Sequence, residues 1–161
     1  MIDQQLFKKI MACAPGPATI VTATGGDGRP QGLTVSAVCS VSLAPPLVLV
    51  CLDLGSNTLT AVRSSNAFTV NYIADGREHV ALDFAVKSDS KFESHAWARP
   101  VGPVGGPILT DHCAAYAVCR VEQIVAAGDH VIVVGAVVEG DAGDRHALAY
   151  ARRAFFTGAS A

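Results

Sequence analysis

Runs rich in valine, isoleucine and threonine recur along this chain, and each is closed within a few residues by glycine, proline or aspartate. Short runs with turn chemistry between them fold as antiparallel hairpins, because a tight turn returns the chain beside the strand it has just left. Ala18 to Thr24 leads through Gly25-Gly26-Asp27-Gly28 into a long strand from Gln31 to Leu43. Ala44-Pro45-Pro46 breaks that strand, since neither proline can donate to a ladder, and Leu47 to Leu52 then reads as a fully apolar strand. Ala67 to Ala74 is a further strand, and Cys113 to Ala126 and His130 to Glu139 make a last hairpin about Ala127-Gly128-Asp129.

Between these strands the periodicity changes to that of helices. Asp3 caps a segment with Leu6, Phe7, Ile10 and Met11 on one face, ending before Pro15 and Gly16. Leu54-Gly55-Ser56-Asn57 supplies a loop and cap for a helix from Thr58 to about Arg63, and Arg77 to Ala85 reads as a third. Val86 to Pro107 is a long excursion rich in Ser, Gly, Pro and charge, of the kind that lines or lids a site, and it carries Trp97. The last fifteen residues hold Tyr150 and Phe155 with little periodicity. About six strands in hairpin succession with three short helices predict a mainly β fold, an antiparallel six-stranded barrel rather than a doubly wound sheet. With no repeat and no linker composition, residues 1–161 are expected to be one domain, its core at about 15–157.

The apolar runs are too short to span a bilayer, so no membrane association is expected, and the N-terminus lacks the layout of a signal peptide, which predicts a cytoplasmic location. A net charge of −2, with no basic cluster in the sequence larger than Arg152-Arg153, argues against nucleic acid. Half the residues are apolar and only 16% are charged, which suggests a subunit that hides surface against a partner. Cys13, Cys39, Cys51, Cys113 and Cys119 include no C-x-x-C and are read as reduced, buried small hydrophobes.

Several short motifs carry both a plain and a chemical reading. The glycine run at 25–28 matches no phosphate-loop pattern and leads into a strand, so it is a turn. Thr34, Ser36, Ser40 and Ser42 stand at spacing two, so four hydroxyls share one strand face, either in solvent or against a planar ligand. Asp53 to Thr58 places a glycine and small polar groups at a helix start, where capping and phosphate binding are equally served. His130 follows a turn at the start of an apolar strand, as a capping residue or a ligand contact. His95 with Trp97, His112 with Cys113, and His79 with Asp83 give no complete ligand set, so no metal is expected. With no nucleophile motif present, chemistry carried by an organic cofactor is the simplest alternative.

In order and spacing these fragments resemble the flavin reductase-like, FMN-binding split-barrel family, the small reductases of two-component flavin-dependent monooxygenases. The resemblance runs from about Thr19 to Phe156. It rests on G-L-T-V-S-A-V-C-S-V-S-L-A-P-P-L (32–47), S-N-T-L-T-A-V-R-S-S-N-A-F-T-V-N (56–71), V-A-L-D-F-A (80–85), Lys91-Phe92, and Gly128-Asp129-His130 with Gly135 and Val137 following. It implies an NAD(P)H:flavin oxidoreductase that moves a hydride from NADH to FAD or FMN, with FAD favoured, and supplies free reduced flavin to an oxygenase component by diffusion.

For this sequence the family pattern implies that Thr34, Val35, Ser36, Ala37, Cys39 and Ser40, together with Asp53, Ser56, Asn57 and Thr58, hold the flavin. Phe84, Lys91 and Asp129 are implied as further flavin contacts, and His130 as the residue that positions the nicotinamide. A homodimer with flavin sites near its interface is also implied. The chain departs from the pattern at Arg77 and Ala147, and the cation at 77 is expected to affect how a phosphate or adenine tail is held. Two other classes share these residues: a split-barrel oxidase with tightly held flavin, and a non-catalytic flavin carrier or sensor.

Overall fold

The computed structural model describes residues 1–88 and 90–157. Helix α1, Gln4–Met11, is capped by Asp3, whose carboxylate accepts from the Leu6 amide at 2.8 Å. The strands are β1 (Gly16–Pro17), β2 (Thr19–Thr24), β3 (Pro30–Val35), β4 (Val38–Leu43), β5 (Pro46–Asp53), β6 (Ala67–Ile73), β7 (Cys113–Ala127), β8 (His130–Ala142), β9 (Leu148–Ala151) and β10 (Ala154–Thr157). Helices α2 (Asn57–Ser65) and α3 (Glu78–Ala85) complete the fold.

Seven strands form one antiparallel sheet in the order β3-β2-β6-β7-β8-β5-β4. The expected long strand from Gln31 to Leu43 is two strands, at opposite edges of this sheet. β3 pairs with β2, β4 pairs with β5, and only Ser36 and Ala37 join them. A single straight strand could not serve both edges, so the chain steps across after Val35. The hydroxyl face predicted for Thr34, Ser36, Ser40 and Ser42 is broken accordingly. A bulge at Val41 shifts the register again, with Ser40 opposite Val48 and Ser42 opposite Leu47.

All seven strands turn towards one core. Val21, Val35, Val50, Leu52, Phe68, Val70, Cys119, Val131 and Val133 are buried together, with Val38 of β4 packed against them and Leu59, Ala61 and Val62 added from α2. The sheet is thus curled into a barrel whose edges are linked by covalent chain rather than by a ladder, and α2 contributes to its filling. A fully enclosed side chain such as Phe68 contributes about 1.5–3 kcal/mol relative to exposure.

A second core lies on the other face of β2 and β6. Ala18, Ile20, Ile73, Val80, Phe84, Leu109 and Leu148 form it, with Phe92, Trp97 and Phe155 against them. The tail, where little order was expected, supplies β9 and β10, which make a small sheet with β1. The Tyr150 and Phe155 rings stand 5.0 Å apart across it. At its tip Arg152 and Arg153 have φ of +50° and +64°, a backbone region that costs an ordinary residue about 1–2 kcal/mol.

A buried polar cluster ties the end of the excursion to the barrel. Asn71 donates to the Ile20 and Pro107 carbonyls and to Thr22 Oγ1, while its own carbonyl accepts from the Leu109 amide at 2.8 Å. Thr22 Oγ1 donates to the Pro107 carbonyl, and Thr69 Oγ1 exchanges both bonds with Gly106. A Cβ at Gly106 would lie 2.3–2.4 Å from the Thr22 and Ala23 backbone, so only glycine allows this approach.

Candidate functional site

Three chain segments that are distant in sequence meet beside β3. β5 ends at Asp53, whose carboxylate accepts from the Gly55 amide at 2.7 Å and closes the turn before α2. Ser56 then caps α2, its Oγ accepting from the Leu59 amide at 3.0 Å. The N–H groups at the start of a helix have no intrahelical acceptor, so those ahead of Leu59 remain available to a ligand. Opposite stands the end of α3 with the segment after it. Lys91 reaches back, its ammonium donating to the Gly32 carbonyl at 3.1 Å and the Phe84 carbonyl at 3.0 Å.

The space enclosed is a cleft of about 450 Å³ lined by Gln31, Gly32, Leu33, Asp53, Gly55, Ser56, Asn57, Thr58, Ala85, Val86, Lys87, Ser88 and Lys91. Among the described lining residues the donors are hydroxyls, two carboxamides, a helix start and two ammonium groups, and the Asp53 carboxylate is turned onto the Gly55 amide. That donor set suits a phosphate. A second, apolar slot of about 260 Å³ shares Ala85 and is walled by Thr34, Val35, Ser36, Leu82, Tyr150 and Phe155.

His130 is brought to the same neighbourhood by strand register. It pairs with Asp53 across β5 and β8, and the Leu54 amide donates to the Asp129 carbonyl at 3.1 Å. Gly128, at φ +66°, makes the two-residue turn that sets it there. The His130 Nδ1 lies 2.7 Å from Asp129 Oδ1, which fixes the ring and leaves Nε2 with no partner among the described residues. That same contact draws the Asp129 carboxyl below its ordinary pKa.

Asp53, Ser56, Asn57, Thr58 and Lys91 therefore line one cleft, with Asp129 and His130 beside it. Thr34, Val35 and Ser36 line the neighbouring slot, where Thr34 Oγ1 is engaged by the Ala81 carbonyl at 2.6 Å. Ala37, Cys39 and Ser40 are exposed at the β3–β4 step and along the β4 edge. Phe84 is placed otherwise than expected: its ring is fully buried against Phe92, at a centroid distance of 5.1 Å, and it backs the site from behind Gly32 and beneath the Lys91 ammonium, which its carbonyl also holds. Arg77 lines neither cavity and stands beside His112 instead. Gly32, Lys87 and Ser88 are not singled out by the sequence; only the fold shows why glycine stands at 32, where a Cβ would meet the Phe84 ring at 2.7 Å.

The cysteines are all free, but Cys13 and Cys39 are exposed rather than buried. Burial raises the Cys119 thiol to about 12. Three histidines gather at α3 and the excursion. His95 Nε2 lies 3.0 Å from Asp83 Oδ2, and its ring stands 5.3 Å from that of His112 and 6.2 Å from that of His79. Burial and the nearby His95 lower the His112 pKa. Among the described residues no group of three or more His, Cys, Asp or Glu is placed to hold a metal ion. No helix among them is long and apolar enough to cross a membrane.

The family model described as flavin reductase like domain matches residues 11–159, and the chain belongs to that family. It is an NAD(P)H-dependent flavin reductase acting with FAD or FMN. A flavin reductase (NADH) of Kitasatospora aureofaciens is 43% identical over 87% of this chain and 73% of its own length. The NADH:FAD oxidoreductase SgcE6 of Streptomyces globisporus, in complex with NAD and FAD fragments, superposes with a TM-score of 0.88 at 26% identity, over 100% of this chain and 99% of that one. BorF, the flavin reductase component of a bacterial two-component tryptophan halogenase, superposes with a TM-score of 0.85 at 29% identity, over 96% and 98%.

Proposed function

We propose that the cleft between β3, α2 and the end of α3 holds the flavin phosphate, and that the slot and the β3–β4 step hold its ring and ribityl chain. The observation that carries this reading is the convergence of the α2 start, Lys91 and the Gly128-Asp129-His130 turn on one edge of the barrel. Flavin and nicotinamide supply the hydride acceptor and donor when bound. The protein's part is to bind, align and exclude water.

In this division Ser56, Asn57, Thr58 and Lys91 hold phosphate, and Thr34, Val35, Ser36, Ala37, Cys39 and Ser40 border the ring. Phe84 fixes Lys91, and Asp129 orients His130, whose unpartnered Nε2 contacts the nicotinamide. Residues 1–161 act as one unit, with FAD the preferred flavin. The chain works in the cytoplasm, in keeping with its unpaired cysteines, and passes reduced flavin to an oxygenase by diffusion.

We further infer a homodimer. Leu43 is fully outside the fold at 92% exposure, Val41 and Val138 lie open, and α1 leaves Leu6, Phe7, Ile10 and Met11 uncovered on its apolar face. Light scattering at micromolar concentration should give twice the 16.6 kDa chain mass; a monomer mass overturns the dimer.

The functional test mixes protein, NADH and FAD or FMN and follows absorbance of both. The reading requires NADH oxidation with flavin bleaching, higher kcat/KM for FAD, and flavin lost on dialysis. Flavin retained through dialysis with no turnover of added flavin would favour the oxidase, and bound flavin that NADH does not bleach would favour the carrier.

A further inference from the structure

Two consecutive residues at the end of α3 hold two residues of the excursion. The Phe84 carbonyl accepts from the Lys91 ammonium at 3.0 Å, and its ring lies beneath that ammonium. Asp83, the residue before, takes His95, with Nε2 3.0 Å from Oδ2. The Glu93 amide closes a turn on the Ser90 carbonyl and bends the segment so that both side chains reach α3. Lys91 is thus seated by a clasp of two contacts, one at its own ammonium and one at His95.

The second contact sits among other titratable groups. His95 is only 8% exposed, with its ring 5.7 Å from that of Phe84. Two further imidazoles lie against it, His112 edge-on at 5.3 Å and His79 at 6.2 Å. His112 Nδ1 is buried with no hydrogen-bond partner among the described residues. Arg77 at the start of α3 and Asp111 act on the same cluster, and Lys91 faces it across a cavity of about 230 Å³ that Asp83 and His95 also line. The Arg145 guanidinium is engaged by the Thr110 and Asp111 carbonyls next to His112, and burial keeps the Cys113 thiol neutral. Of the charged groups that act on the three rings, Asp83 and Asp111 are the carboxylates.

We propose that His95 is a positioning residue: clasped to Asp83 it seats Lys91 at the phosphate cleft, and protons taken up by the cluster of His79, His95 and His112 release that seat. This inference rests on the reading of Lys91 as a group that holds the flavin phosphate. In the neutral cluster the His95 Nε2–H donates to Asp83 and the clasp is shut. Imidazoles gain protons as pH falls through about 6.5. One proton on His95 leaves the bond to Asp83 in place. A second, on His112 or His79, sets two positive rings 5.3 or 6.2 Å apart with Arg77 nearby, where burial limits screening by salt. His112 resists that proton, because burial and His95 lower its pKa, so its charge arrives only at more acid pH. His95 is enclosed and cannot turn away. The repulsion is relieved when it leaves α3, and the segment that carries Lys91 leaves with it.

FAD is the probe, since its pyrophosphate stays ionised throughout while the FMN phosphate itself titrates near about pH 6. Calorimetric titration of the whole protein should give an FAD affinity at least about tenfold weaker at about pH 5.5 than at about pH 8, with riboflavin, which has no phosphate, changed less than about twofold. His95→Gln keeps a donor for Asp83 and cannot be charged. Its FAD affinity should be equal at the two pH values and close to that of the wild type at the higher one, with an unchanged Tm there as the check on folding. Lys91→Met should bind FAD more weakly, and equally at both.

Trp97, the one tryptophan of the chain, stands just past His95 with its ring 6.1 Å from that of Phe92, so its emission maximum reports release without flavin. Acidification should move it to longer wavelength in the wild type, leave it in place in His95→Gln, and need lower pH in His112→Gln, which keeps the clasp. A wild-type maximum that stays put, or one that moves alike in His95→Gln, overturns the release. An FAD affinity that falls with pH in Lys91→Met as steeply as in the wild type overturns the seat, since the cluster then acts elsewhere. Trp97 moving as expected while Lys91→Met binds FAD as tightly as the wild type refutes Lys91 as a phosphate holder and leaves the release standing.

Discussion

Ser56 is the residue at which folding and ligand binding can be separated most cleanly. Its Oγ caps α2 by accepting from the Leu59 amide at 3.0 Å. Replacement by alanine would confound the two roles, because losing such a cap costs about 1 kcal/mol. Ser56→Asp keeps an acceptor at the cap and adds a negative charge that favours a helix start by about 0.3–1 kcal/mol. The same carboxylate would face a phosphate carrying roughly −1.5 to −2 charges.

At a separation of about 5 Å each unit of charge costs about 0.8 kcal/mol in water and about 3 kcal/mol at an effective dielectric of 20. The cleft is open on one side, so a loss of about 1.5–3 kcal/mol is expected, or roughly 10- to 150-fold in FMN affinity. Riboflavin has the same ring and no phosphate, so its affinity should change less than about twofold. Fluorescence titration with both ligands measures this, with thermal melts confirming that Tm is unchanged or raised. Equal losses for FMN and riboflavin, or no loss for either, would refute a phosphate at α2.

Three further outcomes follow from other parts of the molecule. His130→Ala should raise KM for NADH with flavin affinity little changed, because a positioning contact is made in ground and transition states alike; a normal KM and kcat would return His130 to a turn residue. Asn71→Leu strands the buried Leu109 amide, while the Pro107 carbonyl keeps its bond from Thr22 Oγ1, at a cost of about 1–3 kcal/mol. Denaturant melts should show that loss, and a shift under 1 kcal/mol would mean that the excursion is held by packing alone. His112 has a folded pKa below the ordinary 6.5, so the unfolded chain binds more protons. Its contribution is intact above about pH 6.5 and is lost as pH falls towards the folded value, so Tm should drop on acidification and the slope should flatten in His112→Gln; an unchanged slope assigns the loss to other groups.

Elements whose signal is local were legible in the sequence. Asp3 and Ser56 cap helices as their spacing indicates, and Gly128-Asp129 turns the chain between the strands of the last hairpin. The split of the 31–43 run was not legible, because its cause is non-local: β-branched residues continue through Ser36 and Ala37, and only the pairing partners differ on either side. Phe84 looked like a site residue because its fragment belongs to the family pattern, yet its ring is committed to the second core and its carbonyl does the holding. β9 and β10 escaped notice because four-residue strands with arginines at a strained turn carry neither a period nor a turn signal. Lys8 and Lys9 of α1 line one cleft with Arg152 and Arg153 of the β9–β10 turn, a gathering of residues far apart in sequence that no window along the chain can register.

The join between β3 and β4 has a consequence for motion. Every other neighbouring pair of strands in the barrel is held by a ladder, so parting them breaks hydrogen bonds along their length. Along the line between β3 and β5 no ladder exists, and the barrel can widen there for the cost of side-chain contacts alone. Local openings of low free energy concentrate where few backbone bonds must be broken. Amide exchange should accordingly be fastest along the outer sides of β3 and β4 and slowest in β6 and β7, at the centre of the sheet. A large planar guest could enter or leave through that line while the rest of the barrel stays shut, which suits a protein whose product must depart intact on every turnover.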